Sequence, residues 1–135
     1  MIKQIENVSD QMRVICYSVA NTSVGDADLI YYTLRDSVNK DGQTLFVSEN
    51  NGCVRGFVLG YMVRDMGRVT RIYVDKKYQR QGIGTALLRA YEDYARNHGA
   101  RRILLQSRAT QQAKNFYVKN GYQQISADRF MEKTL

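Results

Sequence analysis

The spacing of apolar residues changes from a strand period to a helix period across one short glycine-containing segment. Upstream, residues 68–75 are rich in β-branched side chains, which is typical of a β-strand. Downstream, residues 85–97 carry apolar side chains at helical spacing. These are Leu87, Leu88, Tyr91, Tyr94 and Ala95. The segment between them is Gln79-Arg80-Gln81-Gly82-Ile83-Gly84. A strand, a short loop and a helix in this order predict a mixed α/β fold.

This loop has the composition of an anion-binding site. The first turn of a helix carries unpaired N–H groups and a partial positive charge. Gly82 and Gly84 have no Cβ, so a phosphate can approach those N–H groups closely. They alternate with Gln81 and Ile83, so successive amides can point into one concavity, and Arg80 adds a positive charge. Glycine-rich turns that merely enter a helix are also common, so the glycines alone do not identify a ligand.

The net charge agrees with an anionic partner. The formal charge is +7, from 20 basic and 13 acidic side chains, and an excess of this size favours nucleic acid, a membrane surface or a phosphorylated small molecule. Two familiar phosphate loops are excluded. Thr85-Ala86-Leu87 follows Gly84, so the dinucleotide fingerprint GxGxxG is not matched, and the Walker sequence GxxxxGK[ST] is absent.

The length of 135 residues predicts one domain, 1–135, with one core. The longest apolar runs, such as Ile103-Leu104-Leu105, are too short to span a bilayer. The first ten residues lack the apolar stretch of a secretory signal, so a cytoplasmic location is expected. Cys16 and Cys53 do not have metal-ligand spacing. They are interpreted as buried free thiols, and a disulfide between them stays open.

The remaining segments alternate between strand and helix patterns. Asn50-Asn51-Gly52 and Asp65-Met66-Gly67 are predicted as turns between strands. His98-Gly99 is predicted to end the helix at 85–97, with His98 as a capping residue rather than a catalytic base. Strands are predicted at 2–6, 44–49, 53–64, 68–75, 101–107, 122–125 and 130–133. Further helices are predicted around Met12, Ile15, Cys16 and Val19, around Leu29, Ile30, Leu34 and Val38, and at 111–120.

Two segments of the chain match motifs of one protein family. Gln79-x-x-Gly82-x-Gly84 fits the acyl-CoA signature Q/R-x-x-G-x-G/A. The segment from Asn115 to Tyr122, NFYVKNGY, is similar to FYxxxGF, with Tyr122 in place of the final Phe. In this order and spacing they resemble the GNAT superfamily of N-acetyltransferases over roughly residues 44–135. The resemblance implies the element order β-α-α-β-β-β-α-β-α-β-β, a central mixed sheet with helices on both faces, and acetyl-CoA as cosubstrate without a metal.

The same resemblance implies where the cofactor binds, between two splayed strands at 68–75 and 101–107. Backbone groups of Ile72, Tyr73 and Val74 would hold the pantetheine arm, and an N–H at the Tyr73-Val74 step would face the thioester carbonyl. Amides of the loop would hold the pyrophosphate. Relatives often have a cofactor-binding Asn where this chain has Thr110-Gln111-Gln112. The implied set is completed by Gln79, Arg80, Gln81, Gly82, Ile83, Gly84, Thr85, and by Asn115 and Lys119 as substitutes for that Asn.

Tyr117 is the candidate general acid, by its position in the second motif. A phenol with a pKa near ~10 can donate a proton to the departing thiolate. The general base is open, because Gln106 stands where some relatives have Glu and cannot act as a base. Water, Glu49 or Asp65 would have to substitute. Transfer is expected to be direct, within a ternary complex, because no Cys lies in a nucleophile motif.

The expected acceptor is a primary amine of a small molecule, peptide or protein. Asp26, Asp28 and Asp36 hint at a cationic acceptor, although exposed aspartates at helix ends are common. One alternative is a catalytically silent acyl-CoA-binding protein. Another is a nucleic-acid-binding module, but the arginines are dispersed over several elements. No nucleic acid and no membrane is therefore expected as a partner, and the protein is expected to be a monomer or homodimer.

Overall fold

The computed structural model describes residues 1–5, 43–50 and 53–135. Its strands are β1 (Ile2–Ile5), β2 (Gln43–Asn50), β3 (Cys53–Val63), β4 (Met66–Val74), β5 (Arg102–Gln106), β6 (Gln123–Gln124) and β7 (Phe130–Thr134). Its helices are α1 (Ile83–Asn97) and α2 (Gln111–Lys119), and a single 3₁₀ turn covers Lys76–Tyr78. The two helices predicted before residue 43, with Cys16 and the three aspartates, lie outside the described residues. Gly52 and Asn51 of the first predicted turn lie outside them too.

The strands form one seven-stranded sheet in the order β1-β2-β3-β4-β5-β7-β6. β4 and β5 pair in parallel, whereas the other neighbouring strands pair antiparallel. The sheet is therefore mixed, as predicted, and the closing hairpin of β6 and β7 is confirmed. The prediction of helices on both faces involves residues 6–42 and lies outside the described part of the chain.

The strands β4 and β5 separate after a short paired stretch. Their register includes only three pairs, which end at Arg68 and Leu104. Beyond that point β4 continues to Val74 and β5 to Gln106 without pairing with each other, while the other edge of β5 pairs with β7 along its whole length. The two central strands thus diverge, and the cleft between them is open toward the carboxyl end of β4.

The turn predicted at Asp65-Met66-Gly67 is present, but its bounds are wrong. The chain reverses at Arg64 and Asp65, where Arg64 has a φ of 55°, and β4 already begins at Met66. Gly67 lies inside the strand. A Cβ at this position would be only 2.7 Å from Ile103 Cδ1 and 3.0 Å from Ala95 Cβ. This glycine permits close packing of α1 and β5 on β4, so its presence in the sequence did not mark a turn.

Helix α1 packs along the middle of the sheet. Its residues Leu87, Leu88, Tyr91 and Ala95 are fully buried, which confirms most of the predicted apolar face. Each large side chain of this kind contributes about 1.5–3 kcal/mol when it is removed from water. The Tyr91 hydroxyl donates to the backbone oxygen of Tyr61 at 2.9 Å, so this buried polar group is satisfied. The helix fixes the strands on either side of the cleft.

The carboxyl end of α1 follows the prediction. The backbone N–H of His98 donates to carbonyls of the last turn, and Gly99 follows with a φ of 91°. The His98 ring stacks on Tyr94 at a centroid distance of 4.0 Å. The predicted capping role of His98 is confirmed. Neither α1 nor α2, the two helices in the described ranges, is long and apolar enough to cross a membrane.

Candidate active site

The loop before α1 has alternating backbone conformations. Arg80 and Gly82 have φ values of 65° and 80°, whereas Gln81 between them does not have a positive φ. Such alternation makes successive N–H groups converge on one point and form an anion-binding nest. Gly82 is the N-cap of α1 and provides no side chain to the first amides of the helix. A Cβ on Gly82 would meet nothing within 4 Å, so the space in front of these amides is open.

The start of α1 corrects the predicted boundary. The helix begins at Ile83 rather than Thr85, so Ile83 and Gly84 belong to its first turn. A Cβ on Gly84 would lie 3.2 Å from Cζ of Phe116. The two glycines of the motif therefore differ, because Gly82 supplies a left-handed conformation and Gly84 supplies room for an aromatic ring.

Two side chains fasten the loop to the end of β4. The side-chain amide of Gln79 donates to the backbone oxygen of Val74 at 3.1 Å. The buried carboxylate of Asp75 accepts from the backbone N–H of Lys77 at 3.0 Å and caps the 3₁₀ turn. The sequence analysis did not predict this role of Asp75. The only signal for it in the sequence is an Asp that directly precedes a polar turn. The loop is thus held in place independently of any ligand.

Along the edge of β4 that faces the cleft, the backbone N–H and C=O groups beyond Arg68 do not pair with β5. The N–H of Asp75 donates to the Arg55 oxygen of β3 at 2.9 Å. In an antiparallel pair the residues that bond to one neighbour alternate with residues that face the other side. Tyr73 therefore has the same orientation as Asp75, toward β3, and Ile72 and Val74 direct their N–H and C=O groups into the cleft.

A β-bulge interrupts β4 near the point where the strands diverge. Leu59 of β3 pairs with Arg71, but Gly60 pairs with Val69, so Thr70 has no partner residue. The Thr70 hydroxyl donates to the Leu59 oxygen at 3.0 Å. Bulges bend a strand and re-aim the residues next to it, and they are frequent beside active sites. Gly60 of β3, at this register shift, is the sequence feature that indicates a bend or a close approach here.

The diverging strands, the loop and α2 enclose a cavity of about 610 Å³. Most residues of the predicted cofactor set line it, and they are joined by Tyr117. These residues are Ile72, Tyr73, Val74, Gln79, Arg80, Gly82, Ile83, Gly84, Thr85 and Lys119. Two members of the predicted cofactor set do not line this cavity. Gln81 lines a neighbouring cavity of about 380 Å³ instead. Asn115 is exposed, and its side-chain oxygen accepts a hydrogen bond from Gln111 at 2.8 Å.

Tyr117 lies on α2 in the wall of this cavity and is only 8% exposed. Burial raises the pKa of its hydroxyl to about 12, and the positive charge of Arg108 partly opposes this shift. The ring makes edge contacts with Phe116 and Tyr122 at centroid distances of 5.1 and 5.9 Å. Tyr117 is therefore protonated at neutral pH and held in one place.

A buried polar cluster stands behind Tyr117. The Tyr122 hydroxyl donates to Glu92 Oε2 at 2.7 Å, and the Lys133 ammonium donates to Glu92 Oε1 at 2.9 Å. Burial and the adjacent carboxylate raise the pKa of Tyr122 far above its ordinary value. Glu92 lies within the apolar face of α1 and was not predicted. Its partner, Tyr122, is the residue that replaces the final Phe of the second motif. The buried Glu and the Tyr at this motif position are therefore linked, because they form one hydrogen bond.

The candidate bases differ in position. Gln106 lines the cavity, and its side-chain amide donates to the Asp128 oxygen at 2.8 Å. Glu49 pairs with Lys3 at 2.7 Å, and neither Glu49 nor Asp65 is among the residues that line the cavity. In the described part of the chain, then, the structure does not bring either carboxylate to Tyr117.

Two arginines also line the cavity, and sequence reasoning had counted them only among dispersed basic residues. They are Arg71 of β4 and Arg108, which follows β5. Burial lowers the pKa of Arg71, and the positive charge of Arg108 lowers it further. The Nε atom of Arg71 is shielded from solvent and has no hydrogen-bond partner. The signal in the sequence was weak, since only the splay of the strands brings these side chains together.

Comparison with known proteins agrees with this geometry. Residues 11–122 match the family model described as the acetyltransferase (GNAT) family. An uncharacterised N-acetyltransferase of Methanocaldococcus jannaschii is 37% identical over 79 residues, which are 57% of this chain and 51% of that protein. The chain thus matches about half the length of that relative.

Solved structures share the fold over their whole length. PaiA N-acetyltransferase from Thermoplasma acidophilum, crystallised in complex with coenzyme A, aligns with a TM-score of 0.75 at 18% identity, over 100% of this chain and 99% of that one. Aminoglycoside 6′-acetyltransferase type Ii aligns with a TM-score of 0.79 at 17% identity, over 99% and 96%. The family model covers most of the chain. The chain belongs to the GNAT family of acetyltransferases.

Proposed function

We propose that this protein is an N-acetyltransferase that moves the acetyl group of acetyl-CoA to a primary amine. The observation that carries the proposal is the continuous path from the open edge of β4 to the nest at Gly82. A thin, extended molecule with phosphates at one end fits a cleft with free backbone groups at one end and converging amides at the other.

The residues of the cleft fit coenzyme A. Ile72 and Val74 offer backbone N–H and C=O groups that can pair with the amides of a pantetheine arm as an added strand would. Gly82 leaves open space in front of the first amides of α1, where a pyrophosphate would bind. Arg80 and Lys119 line the same cavity and contribute positive charge. Gln81 would act through its backbone N–H, since its side chain is not needed in a nest.

Acetyl-CoA supplies an acetyl group activated as a thioester. The amine nitrogen attacks the carbonyl carbon directly, a C–N bond forms, and the C–S bond breaks. The N–H of Val74, at the Tyr73-Val74 step, faces the cleft and would stabilise the negative charge that develops on the carbonyl oxygen. Tyr117 would donate its proton to the leaving sulfur. Burial raises the pKa of that hydroxyl, and the positive charge of Arg108 opposes this shift and would stabilise the phenolate that remains.

The proton of the incoming ammonium must leave by another route. Gln106 has no basic group, and the described carboxylates Glu49 and Asp65 do not line the cavity. We propose that water carries this proton away, so that the amine reacts in its neutral form. The second proton, which the nitrogen loses once the C–N bond has formed, would return through water to the Tyr117 phenolate. The rate should then rise with pH toward the pKa of the free amine, about 10 for an alkylammonium.

Two measurements on the same sample test the proposal. Acetyl-CoA should raise the melting temperature in a concentration-dependent way, since a ligand of the folded state stabilises it by mass action. Thiol release should then be measured with a panel of small amines, peptide N-termini, lysine peptides and aminoglycosides. Absence of both stabilisation and thiol release would remove the proposal entirely.

A catalytically silent acyl-CoA-binding protein is the second candidate. It is favoured because Gln106, which cannot act as a base, stands where some relatives have Glu. The same assays separate it from an enzyme. Tight binding of acetyl-CoA without thiol release for any amine, at pH values up to about 10, would select the silent protein. Retention on RNA that weakens with salt, without a response to acetyl-CoA, would instead indicate nucleic-acid binding.

A further inference from the structure

The part of the cavity lined by Arg71, Arg108 and Tyr117, which we call the narrow end, contains positive charge that the proposed cofactor contacts do not use. Arg71 lies three residues after Arg68, the last residue of β4 that pairs with β5. It also lies three residues before Val74, and a strand rises about 3.3 Å per residue. Arg71 is therefore about 10 Å from the end of the strand, and the loop with Gly82 begins only beyond that end. The backbone of Arg71 is thus separated by about 10 Å from the part of the cleft where the phosphates are expected.

Arg71 also projects from the face of the sheet that is opposite α1. Its cross-strand partner is Leu59, and Tyr73, two residues on, pairs with Phe57. Phe57 and Tyr73 contact each other at a ring centroid distance of 5.6 Å. Side chains alternate between the two faces of a strand, and Val58 and Ile72 pack in the core with α1. Arg71 is thus on the same face of the sheet as Phe57 and Leu59, opposite the face that packs against α1.

The guanidinium of Arg71 is incompletely satisfied. Its Nε has no hydrogen-bond partner and is shielded from solvent. No ion pair joins Arg71 or Arg108 to a carboxylate within residues 1–5, 43–50 and 53–135. Burial lowers the pKa of Arg71, and the nearby positive charge of Arg108 lowers it further. Two like charges that share a cavity wall and have no carboxylate partner among the described residues are most simply explained by an anionic group that binds between them.

We propose that Arg71 and Arg108 bind an oxyanion of the acceptor, so that the preferred substrate is a primary amine that also carries a carboxylate or phosphate group. This inference rests on the proposed acetyltransferase function and specifies the acceptor for it. Arg108 acts near the hydroxyl of Tyr117 as well. An anion held there places the amine of the same molecule near the proposed site of transfer. The forked geometry of a guanidinium suits both carboxylate and phosphate.

Matched pairs of amines test the inference. β-Alanine is compared with β-alaninamide, and phosphoethanolamine with ethanolamine, so each pair differs in the anionic group. Binding is measured by calorimetry with the protein alone and with the protein saturated with coenzyme A, and thiol release is measured with acetyl-CoA. The anionic member should be favoured about tenfold or more, since a charged hydrogen bond to an arginine contributes this much. The pair with the larger preference identifies the carboxylate or the phosphate.

The variants are Arg71→Gln and Arg108→Gln, with Arg89→Gln as the control for loss of one charge. Arg89 is exposed on α1 and does not line the cavity. Arg71→Gln should reduce the anion preference to near one and leave the affinity for coenzyme A unchanged, whereas Arg89→Gln should change neither. Equal binding of charged and neutral amines by the parent protein would overturn the inference. So would an Arg71→Gln variant that loses coenzyme A affinity and keeps the anion preference.

The two proposals fail in different ways. If coenzyme A binds and neutral amines are acetylated as well as anionic ones, the enzyme assignment stands and the anion site is wrong. If coenzyme A does not bind but the protein alone prefers the anionic amines and Arg71→Gln removes this preference, the anion site stands and the enzyme assignment is wrong.

Discussion

The two ends of the cleft bind ligands by different means. At the loop end, between Gln79 and Gly84, the site consists of backbone N–H groups, a left-handed glycine and exposed polar side chains. At the narrow end, side chains define the site, with Tyr117 buried in α2 and Arg71 half-buried in β4. Backbone amides recognise a phosphate in any protein that forms the loop, whereas buried side chains depend on this particular core. The loop end therefore indicates the donor, and the narrow end should determine the acceptor and the chemistry.

The largest expected effect is at the loop end. Gly82→Glu should lower the affinity for acetyl-CoA more than about 100-fold, because a negative charge beside a phosphate costs several kcal/mol. The variant also forces a non-glycine residue to adopt a φ of 80°, which costs about 1–2 kcal/mol of stability. Calorimetric titration with acetyl-CoA measures the first effect, and thermal unfolding measures the second.

Gly99→Glu is the matched control for this loss. Gly99 has a φ of 91° and, like Gly82, open space where a Cβ would be, but it lies at the other end of α1. It should show the same loss of stability and keep the affinity for acetyl-CoA. If Gly82→Glu binds acetyl-CoA as the parent does, the phosphate nest is wrongly assigned.

At the narrow end, Tyr117→Phe tests chemistry without removing the ring. A general acid contributes about 10²–10⁴-fold, so kcat should fall at least about 100-fold while acetyl-CoA affinity stays the same. Single-turnover measurements with saturating acetyl-CoA and amine separate the two quantities. A variant in which binding and turnover fall together would show that Tyr117 only packs in the wall of the cavity.

The pH dependence of stability gives an independent check on Tyr117. Burial raises the pKa of its hydroxyl from the ordinary 10.0 to about 12 in the folded protein. The hydroxyl then contributes stability that is fully present below the unfolded pKa and is lost as the pH rises toward 12. Denaturant unfolding in this range should show a smaller loss for Tyr117→Phe than for the parent. An equal loss would mean that the hydroxyl is solvated.

The sequence predicted one end of the cleft better than the other for a physical reason. The strand, the loop and the helix that form the nest are adjacent in the chain, so local patterns such as Gly82-x-Gly84 are sufficient to indicate them. The narrow end depends on the bulge at Thr70 and on side chains from β4, β5 and α2 that meet only in the folded protein. Tyr117 was predicted through a family motif, whereas Arg71 had no such motif.

The same distinction explains two further errors. Gly67 was interpreted as a turn residue. A local pattern could not show its close approach to Ile103, which is 36 residues later in the sequence. Asn115 was included in the cofactor set, but it is exposed on α2 and its side-chain oxygen accepts a hydrogen bond from Gln111. Both errors concern what a residue contacts, not which element it belongs to.

A smaller effect is expected from the polar cluster behind Tyr117. Tyr122→Phe leaves the buried Glu92 with Lys133 as its remaining partner and should cost about 1–3 kcal/mol of stability. Tyr94→Phe is the control, because the Tyr94 hydroxyl makes no hydrogen bond within residues 1–5, 43–50 and 53–135 and its ring is only partly buried. Denaturant unfolding measures the difference. If Tyr122→Phe is as stable as Tyr94→Phe, the cluster does not support the narrow end.

The smallest expected effect comes from Gly84, which joins the two ends through α2. In Gly84→Ala the new methyl group would be 3.2 Å from Phe116 Cζ, so the ring must shift by a few tenths of an ångström. Alanine also favours a helix over glycine by roughly 0.5–1 kcal/mol, so the net change in stability should be within about 1 kcal/mol. Phe116→Leu removes the contact, and the double variant should therefore be more stable than the two single changes predict. Additive effects would show that Gly84 and Phe116 do not constrain each other, and the two ends of the cleft would then be independent.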